Sequence, residues 1–122
     1  MEFLDKKILV AEDDIINQIL MSSVLKNLKM NFTIVNNGKE ALEILKNNSF
    51  DIILLDIQMP LLNGLETVLE IRKNNIKTPV VALSADKLNF EMEEIEKYGF
   101  NESLTKPIEI EALENLFFKY LV

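Results

Sequence analysis

Ten residues near the middle of the chain decide its fold: Asp51-Ile52-Ile53-Leu54-Leu55-Asp56-Ile57-Gln58-Met59-Pro60. Residues 52–55 are continuously apolar, as a parallel strand covered by helices on both faces must be. The strand is followed by Asp56, so it delivers a carboxylate to the edge of a sheet. This pattern predicts a parallel α/β sheet with polar chemistry beyond its strand ends.

Four other short segments are predicted strands of the same sheet. Residues 8–11 and 80–83 are also continuously apolar and are expected to be central. Residues 32–35 and 102–105 mix polar and apolar side chains, which is typical of edge strands. With the second and fifth strands at the edges, the expected order is 2-1-3-4-5, the flavodoxin-like doubly wound sheet.

Helices are predicted between the strands, which makes a single (βα)5 domain over residues 1–122 with right-handed crossovers. Two apolar stripes at helical spacing, within 15–28 and 110–121, are each expected to face the sheet. The stripes are Ile15, Ile16, Ile19, Leu20, Val24, Leu25 and Leu28, then Ile110, Leu113, Leu116, Phe117, Tyr120 and Leu121. Shorter helices fit residues 38–46, 64–73 and 88–97.

The composition of the chain excludes several kinds of chemistry. Among 122 residues there is no cysteine and no histidine, so disulfides, cysteine nucleophiles, histidine triads and a phosphohistidine of its own are ruled out. The net charge of −7 argues against direct binding to nucleic acid or to an anionic membrane. No signal peptide or membrane span is indicated, so a cytoplasmic location is expected.

Polar residues follow four of the five predicted strands. They are Glu12-Asp13-Asp14, Asp56, Ser84 and Lys106-Pro107. Because parallel strands end at the same edge of a sheet, these side chains are expected to converge. The carboxylates of Glu12, Asp13 and Asp56 would then repel one another in one cleft, and binding of a hard divalent cation would relieve this repulsion. Mg²⁺ is preferred, because it needs only one or two direct carboxylates and suits an open site.

The same set of groups suits phosphoryl transfer to an aspartate. Asp56 would be the nucleophile, while Lys106 and Ser84 would hold phosphoryl oxygens. Structural alternatives stay open for each flanking group. Asp14 and Ser84 would serve as helix N-caps, and Lys106 would form a plain salt bridge to Asp13 or Asp56. A conformational demand on Lys106 would favour a cis bond to Pro107.

Taken together, these motifs resemble the receiver domain of two-component response regulators. The likeness rests on residues 8–14, 51–60, 63–64, 82–85 and 106–107 and spans nearly the whole chain. Residues 12–18 and 56–60 are most similar to receivers of hybrid histidine kinases. The resemblance implies that no output domain lies within the 122 residues.

The resemblance also implies a role for each site residue. Asp56 would accept a phosphoryl group from the phosphohistidine of a histidine kinase or phosphotransfer protein, with Mg²⁺ required. Asp13 would bind the metal directly, Glu12 would act mainly through water, and Gln58 would offer its backbone carbonyl. Ser84 takes the place of the hydroxyl residue that follows the phosphoryl group, and Lys106 that of the ion-pair partner.

One position departs from the receiver pattern. Receivers usually carry Tyr or Phe three residues before the lysine, and this chain has Ser103. A serine cannot signal by burying a ring, so output is expected through the loop 84–88 and the fourth helix alone, or the domain serves as a relay. The structural alternative is that Ser103 is a small edge-strand residue with no role in signalling.

Expectations about partners follow from charge and from the resemblance. The first helix is where a histidine-bearing helical partner would dock, with Met21 and Ser22 as weak candidates. A downstream protein would bind the face of helix 4, strand 5 and helix 5. That side carries Glu91, Glu93, Glu94, Glu96, Glu109, Glu111 and Glu114, which read mainly as a solvated face. The acidity disfavours a dimer there, so a monomer is expected.

Three other functions are weighed against a phosphoaccepting switch, which would not be an enzyme with a diffusible substrate. An aspartyl-nucleophile phosphohydrolase needs a second aspartate two residues after the nucleophile, where this chain has Gln58. A pseudo-receiver would never carry a phosphoryl group, and its cleft residues would only form a salt bridge. A flavin-binding domain is disfavoured because the first loop is acidic where it should bind phosphate.

Overall fold

A computed structural model describes residues 3–85 and 92–122, in which strands and helices alternate. The strands are β1 (Lys7–Ala11), β2 (Asn31–Val35), β3 (Ile52–Asp56), β4 (Val80–Ala85) and β5 (Glu102–Lys106). The helices are α1 (Ile15–Asn27), α2 (Gly38–Leu45), α3 (Gly64–Lys73), α4 (Met92–Tyr98) and α5 (Ile110–Leu121). The part of the predicted fourth helix at 88–91 lies outside the described residues.

The five strands form one parallel sheet in the order β2-β1-β3-β4-β5. This confirms the flavodoxin-like order and the edge positions of β2 and β5. The continuously apolar segments are central, as predicted, because helices cover them on both faces. In the described residues, no helix has the length and apolar character needed to cross a membrane.

Two hydrophobic clusters lie on opposite faces of the sheet, since alternate residues of a strand point to opposite sides. On one face, Ile8, Val10, Ile52 and Leu54 pack with buried residues of α1 and α5. On the other, Leu9, Ala11, Ile53 and Leu55 pack with α2, α3 and α4. The two layers of helices fix the sheet from both sides and leave the carboxyl ends of its strands open for a site.

The prediction that the whole apolar stripe of α1 faces the sheet is wrong. Its first four members are 60–62% exposed, namely Ile15, Ile16, Ile19 and Leu20. The residues that α1 and its C-cap bury are Met21, Leu25 and Leu28. Successive residues are about 100° apart around a helix, which puts these two sets on opposite sides. The helix is apolar on both sides, and the sheet covers only one of them.

Two smaller expectations also need correction. Met21 is buried against the core, so it is not available to a docking partner as proposed from the sequence. Ile110 begins α5 and is 57% exposed, whereas Leu113, Leu116, Phe117 and Leu121 of the same predicted stripe are buried. Ile110 lies in the first turn, beyond the part of α5 that packs on the sheet.

Arg72 connects three parts of the fold at the end opposite the strand carboxyl termini. From α3, its guanidinium donates hydrogen bonds to the carbonyls of Gly99, Ile76 and Thr78 and to the side chain of Asn101, at 2.8–3.0 Å. Gly99 has a φ of +116°, and a Cβ there would approach the Arg72 side chain to 2.7 Å. The arginine therefore joins α3 to the segments before β4 and β5.

Candidate functional site

The site is formed where β1 and β3 end side by side. Ala11 and Leu55 are partners in the parallel register, so the next residues, Glu12 and Asp56, reach the same edge. One carboxylate oxygen each from Glu12, Asp13 and Asp56 lies within 4.8 Å of the others. Glu12 and Asp56 are only 3% and 5% exposed, while Asp13 is open to solvent. The predicted carboxylate cluster is thus present.

Lys106, the last residue of β5, neutralises part of this cluster. Its Nζ donates to Glu12 Oε1 and to Asp56 Oδ2, both at 2.7 Å. Of the two alternative partners predicted from the sequence, Asp13 or Asp56, the structure has Asp56. Lys106 also pairs with the buried Glu12, which was not predicted as a partner.

Burial and charge set the protonation of these groups. Burial raises the pKa of the Asp56 carboxyl to about 6, against the opposing hydrogen bond from Lys106 and with a further rise from the neighbouring charge of Glu12. Burial alone would lower the pKa of Lys106, but hydrogen bonds to Asp56 and Glu12 raise it above its usual value. Lys106 is therefore a fixed positive charge at neutral pH.

An open cleft of about 810 Å³ surrounds the carboxylates. Its wall includes Asp14, Gln58, Met59, Asn63 and Ala85. The backbone N–H of Gln58 donates to Asp56 Oδ1 at 3.2 Å, which fixes the second oxygen of the central carboxylate. Ser84 lies at the end of β4 opposite Thr105 and is half-buried, but its side chain is not among the described groups that line the cleft.

The donor set fits a small, hard cation. It consists of carboxylate oxygens, one of them solvent-exposed, beside an open cleft that leaves room for water. Oxygen ligands of this kind, with several waters retained, are what Mg²⁺ prefers. Lys106 supplies only one positive charge to three carboxylates, so the described cluster has negative charge left for an ion.

Comparisons with known proteins agree with this arrangement. The family model described as the response regulator receiver domain matches residues 8–117. This chain belongs to that family. As a receiver it is 38% identical over 112 residues to the autoinducer 2 sensor kinase/phosphatase LuxQ of Vibrio parahaemolyticus. The match covers 91% of this chain and 13% of LuxQ, so the chain spans a small part of that relative's length.

Solved receiver structures have the same fold. The receiver domain of a sensor histidine kinase from Pseudomonas aeruginosa, which has a magnesium ion coordinated in its active site cleft, is 30% identical with a TM-score of 0.85. That match covers 94% of this chain and 96% of the other. Likenesses to LuxQ, to this domain and to the hybrid signal transduction histidine kinase I of Dictyostelium discoideum, 36% identical over 116 residues, confirm the predicted resemblance to receivers of hybrid histidine kinases.

A second solved structure shows a receiver together with a partner. It is the co-crystal structure of the Saccharomyces cerevisiae histidine phosphotransfer signaling protein Ypd1 and the receiver domain of its downstream response regulator Ssk1. The matched chain has a TM-score of 0.89 and is 29% identical, with 98% of this chain and 91% of that chain covered. In that structure a receiver of the same fold is bound to a histidine phosphotransfer protein.

The flanking positions of the receiver site have local structural roles. Asp14 is the N-cap of α1, and its side chain accepts a hydrogen bond from Asn17 N at 3.3 Å, as the capping alternative predicted. The Lys106–Pro107 bond is cis. Ser103 is half-buried on β5 opposite Ala82.

The predicted acidic face is exposed to solvent where the structure describes it. The exposed glutamates are Glu94, Glu96, Glu109 and Glu111. The side chains of Glu91 and Glu93 lie outside the described part of the chain.

An exposed apolar patch borders the cleft. Its residues were predicted from the sequence to face the sheet, so this surface was not foreseen. It consists of Ile15, Ile16, Ile19 and Leu20 of α1 with Ile110 of α5. A cavity of about 110 Å³ lies between the two helices, and Leu20 and Ile110 both line it. Glu12 and Lys106 line this cavity and also the cleft. Leu20 and Ile110 therefore bring one edge of the patch next to the carboxylate site.

Proposed function

We propose that this receiver accepts a phosphoryl group on Asp56 from the phosphohistidine of a partner kinase or phosphotransfer protein, with Mg²⁺ bound. The observation that carries the proposal is Lys106 bonded to two buried carboxylates beside a third, exposed one in an open cleft. Such a site offers a nucleophile and charge neutralisation for phosphoryl transfer.

In the proposed step, one carboxylate oxygen of Asp56 attacks the phosphorus of the phosphohistidine. A P–O bond forms as the P–N bond breaks, and the bonding pair returns to the ring nitrogen, which takes up a proton. The product is an acyl phosphate on Asp56. The chain itself has no histidine, so the donor must be another protein or another part of a longer one.

Other residues of the cleft would assist this step. Lys106 donates a hydrogen bond to Asp56 Oδ2, and after transfer it would pair with a negatively charged phosphoryl oxygen instead. Ser84 is the last residue but one of the neighbouring strand β4 and would donate its hydroxyl to a phosphoryl oxygen. Glu12, Asp13, Asp56 and the Gln58 carbonyl would hold Mg²⁺. The ion, when bound, supplies charge neutralisation for the phosphoryl oxygens.

The exposed apolar patch would receive the phosphohistidine partner. Single exposed apolar residues are ordinary, but a contiguous patch marks an interaction site. The patch borders Glu12 and Lys106, so a helix packed against it would lie next to Asp56. A receiver of the same fold pairs with a histidine phosphotransfer protein in the yeast complex, which supports a partner of this kind.

Intact-mass analysis tests the phosphoacceptor. The receiver is incubated with acetyl phosphate and Mg²⁺, and a single phosphoryl adduct is expected. Asp56→Asn should form no adduct, and EDTA should abolish it in the wild type. Asp51→Asn is the matched control, because Asp51 precedes the same strand at its other end, where its side chain accepts a hydrogen bond from Lys7 N and its backbone N–H donates to Lys7 O.

Two results would overturn the proposal. One is a phosphoryl adduct that persists on Asp56→Asn. The other is a wild-type protein that binds neither Mg²⁺ nor beryllofluoride, a phosphoryl mimic, and forms no adduct, which would favour a pseudo-receiver. Sustained hydrolysis of small phosphate esters would instead favour the phosphohydrolase.

A further inference from the structure

Gln18 connects helix α1 to the backbone of the carboxylate site. Its Nε2 donates to the carbonyl oxygen of Glu12 at 2.5 Å and to Asn36 Oδ1 at 2.8 Å. Both hydrogens of the amide are thereby used, and each meets an acceptor. The side chain joins three segments, namely α1, the end of β1 and the loop between β2 and α2.

The direction of these hydrogen bonds is fixed by a charge at the far end. Glu40 Oε1 accepts from both the backbone N–H and the Nδ2 of Asn36, at 2.8 and 3.1 Å. An ionised carboxylate only accepts, so the amide nitrogen of Asn36 must point toward Glu40 and its oxygen toward Gln18. Gln18 is thus held with its nitrogen toward the Glu12 carbonyl.

The Glu12 carbonyl and the Asp13 N–H belong to one peptide plane, so holding the carbonyl orients Asp13. Other atoms of Glu12 are also fixed: its N–H donates to Val35 O at 3.0 Å, and its Oε2 accepts from Asp14 N at 3.1 Å. Within the described part of the chain, the Asp13 carboxylate itself accepts no hydrogen bond. The direction in which it points therefore depends on its backbone.

We propose that Gln18 is a positioning residue for the metal site, which holds the Glu12–Asp13 peptide so that the Asp13 carboxylate faces Glu12 and Asp56. The inference rests on the proposed function, because it concerns the same Mg²⁺ site. Groups that orient metal ligands commonly change metal affinity by about 10- to 100-fold when they are removed. Gln18 acts through backbone and makes no contact with the ion.

Calorimetric titration of the metal-free protein with Mg²⁺ tests this role. Gln18→Met keeps the length and charge of the side chain and removes both hydrogen bonds. We expect the Kd for Mg²⁺ to rise by about 10-fold. The rate of modification by acetyl phosphate should recover at saturating Mg²⁺, because only metal affinity has changed. Thermal unfolding in EDTA checks that the variant is folded at the titration temperature.

A second pair of variants keeps the test decisive if Gln18→Met does not fold. Asn36→Ala removes the acceptor that orients Gln18 without changing charge, and it should weaken Mg²⁺ binding in the same direction. Asn48→Ala is its control, since Asn48 donates to Ile44 O at the end of α2. A folded Gln18→Met that binds Mg²⁺ as tightly as the wild type overturns this inference alone. A wild type that binds no Mg²⁺ overturns the proposed function as well.

Discussion

Asp56 is the residue whose ionisation opposes folding in the metal-free receiver. Burial raises its pKa from 3.8 to about 6, so between these values the folded state holds a proton that the unfolded state has lost. A folded state that binds more protons becomes less stable as pH rises. A difference of about two pKa units corresponds to about 3 kcal/mol once the pH is above 6.

Asp56→Asn should therefore stabilise the metal-free receiver, by on the order of 1–3 kcal/mol at pH 7.5. Urea unfolding in EDTA across pH 4–8 measures this. The gain should shrink as the pH falls from 6 toward 4, because the unfolded-state carboxyl, whose pKa is 3.8, then becomes protonated as the folded-state carboxyl already is. A variant that is less stable than the wild type at pH 7.5 contradicts the assignment of Asp56 as a buried, destabilised carboxylate.

Substitution of Lys106 should destabilise the metal-free receiver, whereas Asp56→Asn should stabilise it. Lys106→Met leaves Glu12 and Asp56 buried without their shared cation, and breaking a buried pair in this way costs about 3 kcal/mol. The loss should be largest at neutral pH, where Asp56 is ionised, and smaller as the pH falls below the Asp56 pKa of about 6. Urea unfolding in EDTA checks it.

Lys119→Met is the matched control for Lys106. It breaks an ion pair with Glu102 in which the lysine is 64% exposed, and such pairs contribute little. An equal effect of the two lysine substitutions would show that burial of the carboxylates is not what makes Lys106 important.

At the scale of elements, α1 has two apolar sides with different expected roles. Leu25 is fully buried against the sheet, so Leu25→Ala should destabilise the fold by about 2–5 kcal/mol. Ile19 is 60% exposed, so Ile19→Ser should change stability by less than about 0.5 kcal/mol. Ile19→Ser should instead slow phosphoryl transfer from a phosphohistidine protein while leaving modification by acetyl phosphate unchanged.

Unfolding curves and the two transfer assays separate these roles of α1. Equal transfer rates for Ile19→Ser and wild type from the protein donor would show that the patch is not the docking surface. Leu69→Ser offers a control, because Leu69 is an apolar residue, 46% exposed, on α3, which packs on the opposite face of the sheet from α1.

The same helix shows what could be predicted from the sequence at this scale. The strands at 52–55 and 80–83 are surrounded by helices on both faces, so an unbroken apolar run identified them directly. For α1 the apolar residues occur on both sides, and periodicity does not say which side meets the sheet. The contacts of Arg72 with backbone carbonyls carry no residue-type signal, so they were not predictable either.

At the scale of the whole molecule, the site could be predicted because topology does most of the positioning. Parallel strands deliver Glu12, Asp56 and Lys106 to one edge whatever the details of the loops. The choice of Glu12 over Asp13 as the second partner of Lys106 depends on which carboxylate is buried, and the contact of Gln18 with Asn36 depends on how α1 crosses the sheet. Neither follows from residue order alone.

Topology also separates charge between the two ends of the receiver. The helices end at the edge opposite the cleft, and each has a lysine in its last turn or at its C-cap, where it suits the helix dipole. These lysines are Lys26, Lys46, Lys73, Lys97 and Lys119. The cleft end instead carries exposed Asp13, Asp14, Glu109 and Glu111 around the apolar patch. Among the described residues, none of these four forms a salt bridge.

The acidic rim of the cleft predicts that the transfer rates from two kinds of phosphoryl donor depend differently on salt concentration. A phosphohistidine protein with basic residues around its histidine is attracted to the acidic rim, so its transfer rate should fall as NaCl rises from about 0.03 to about 0.3 M. Acetyl phosphate is an anion that the same rim repels, so its rate of modification should hold or rise, because salt screens the repulsion.

Charge-neutralised variants assign the effect to the rim. Glu109→Gln with Glu111→Gln should flatten the salt dependence of the protein donor. Glu43→Gln with Glu70→Gln should not, because these two glutamates form surface pairs with Lys46 and Lys73 away from the cleft. Stopped-flow or quenched-flow transfer measurements at several salt concentrations give the slopes. If both double variants keep the wild-type slope, the donor is selected by the apolar patch rather than by the acidic rim.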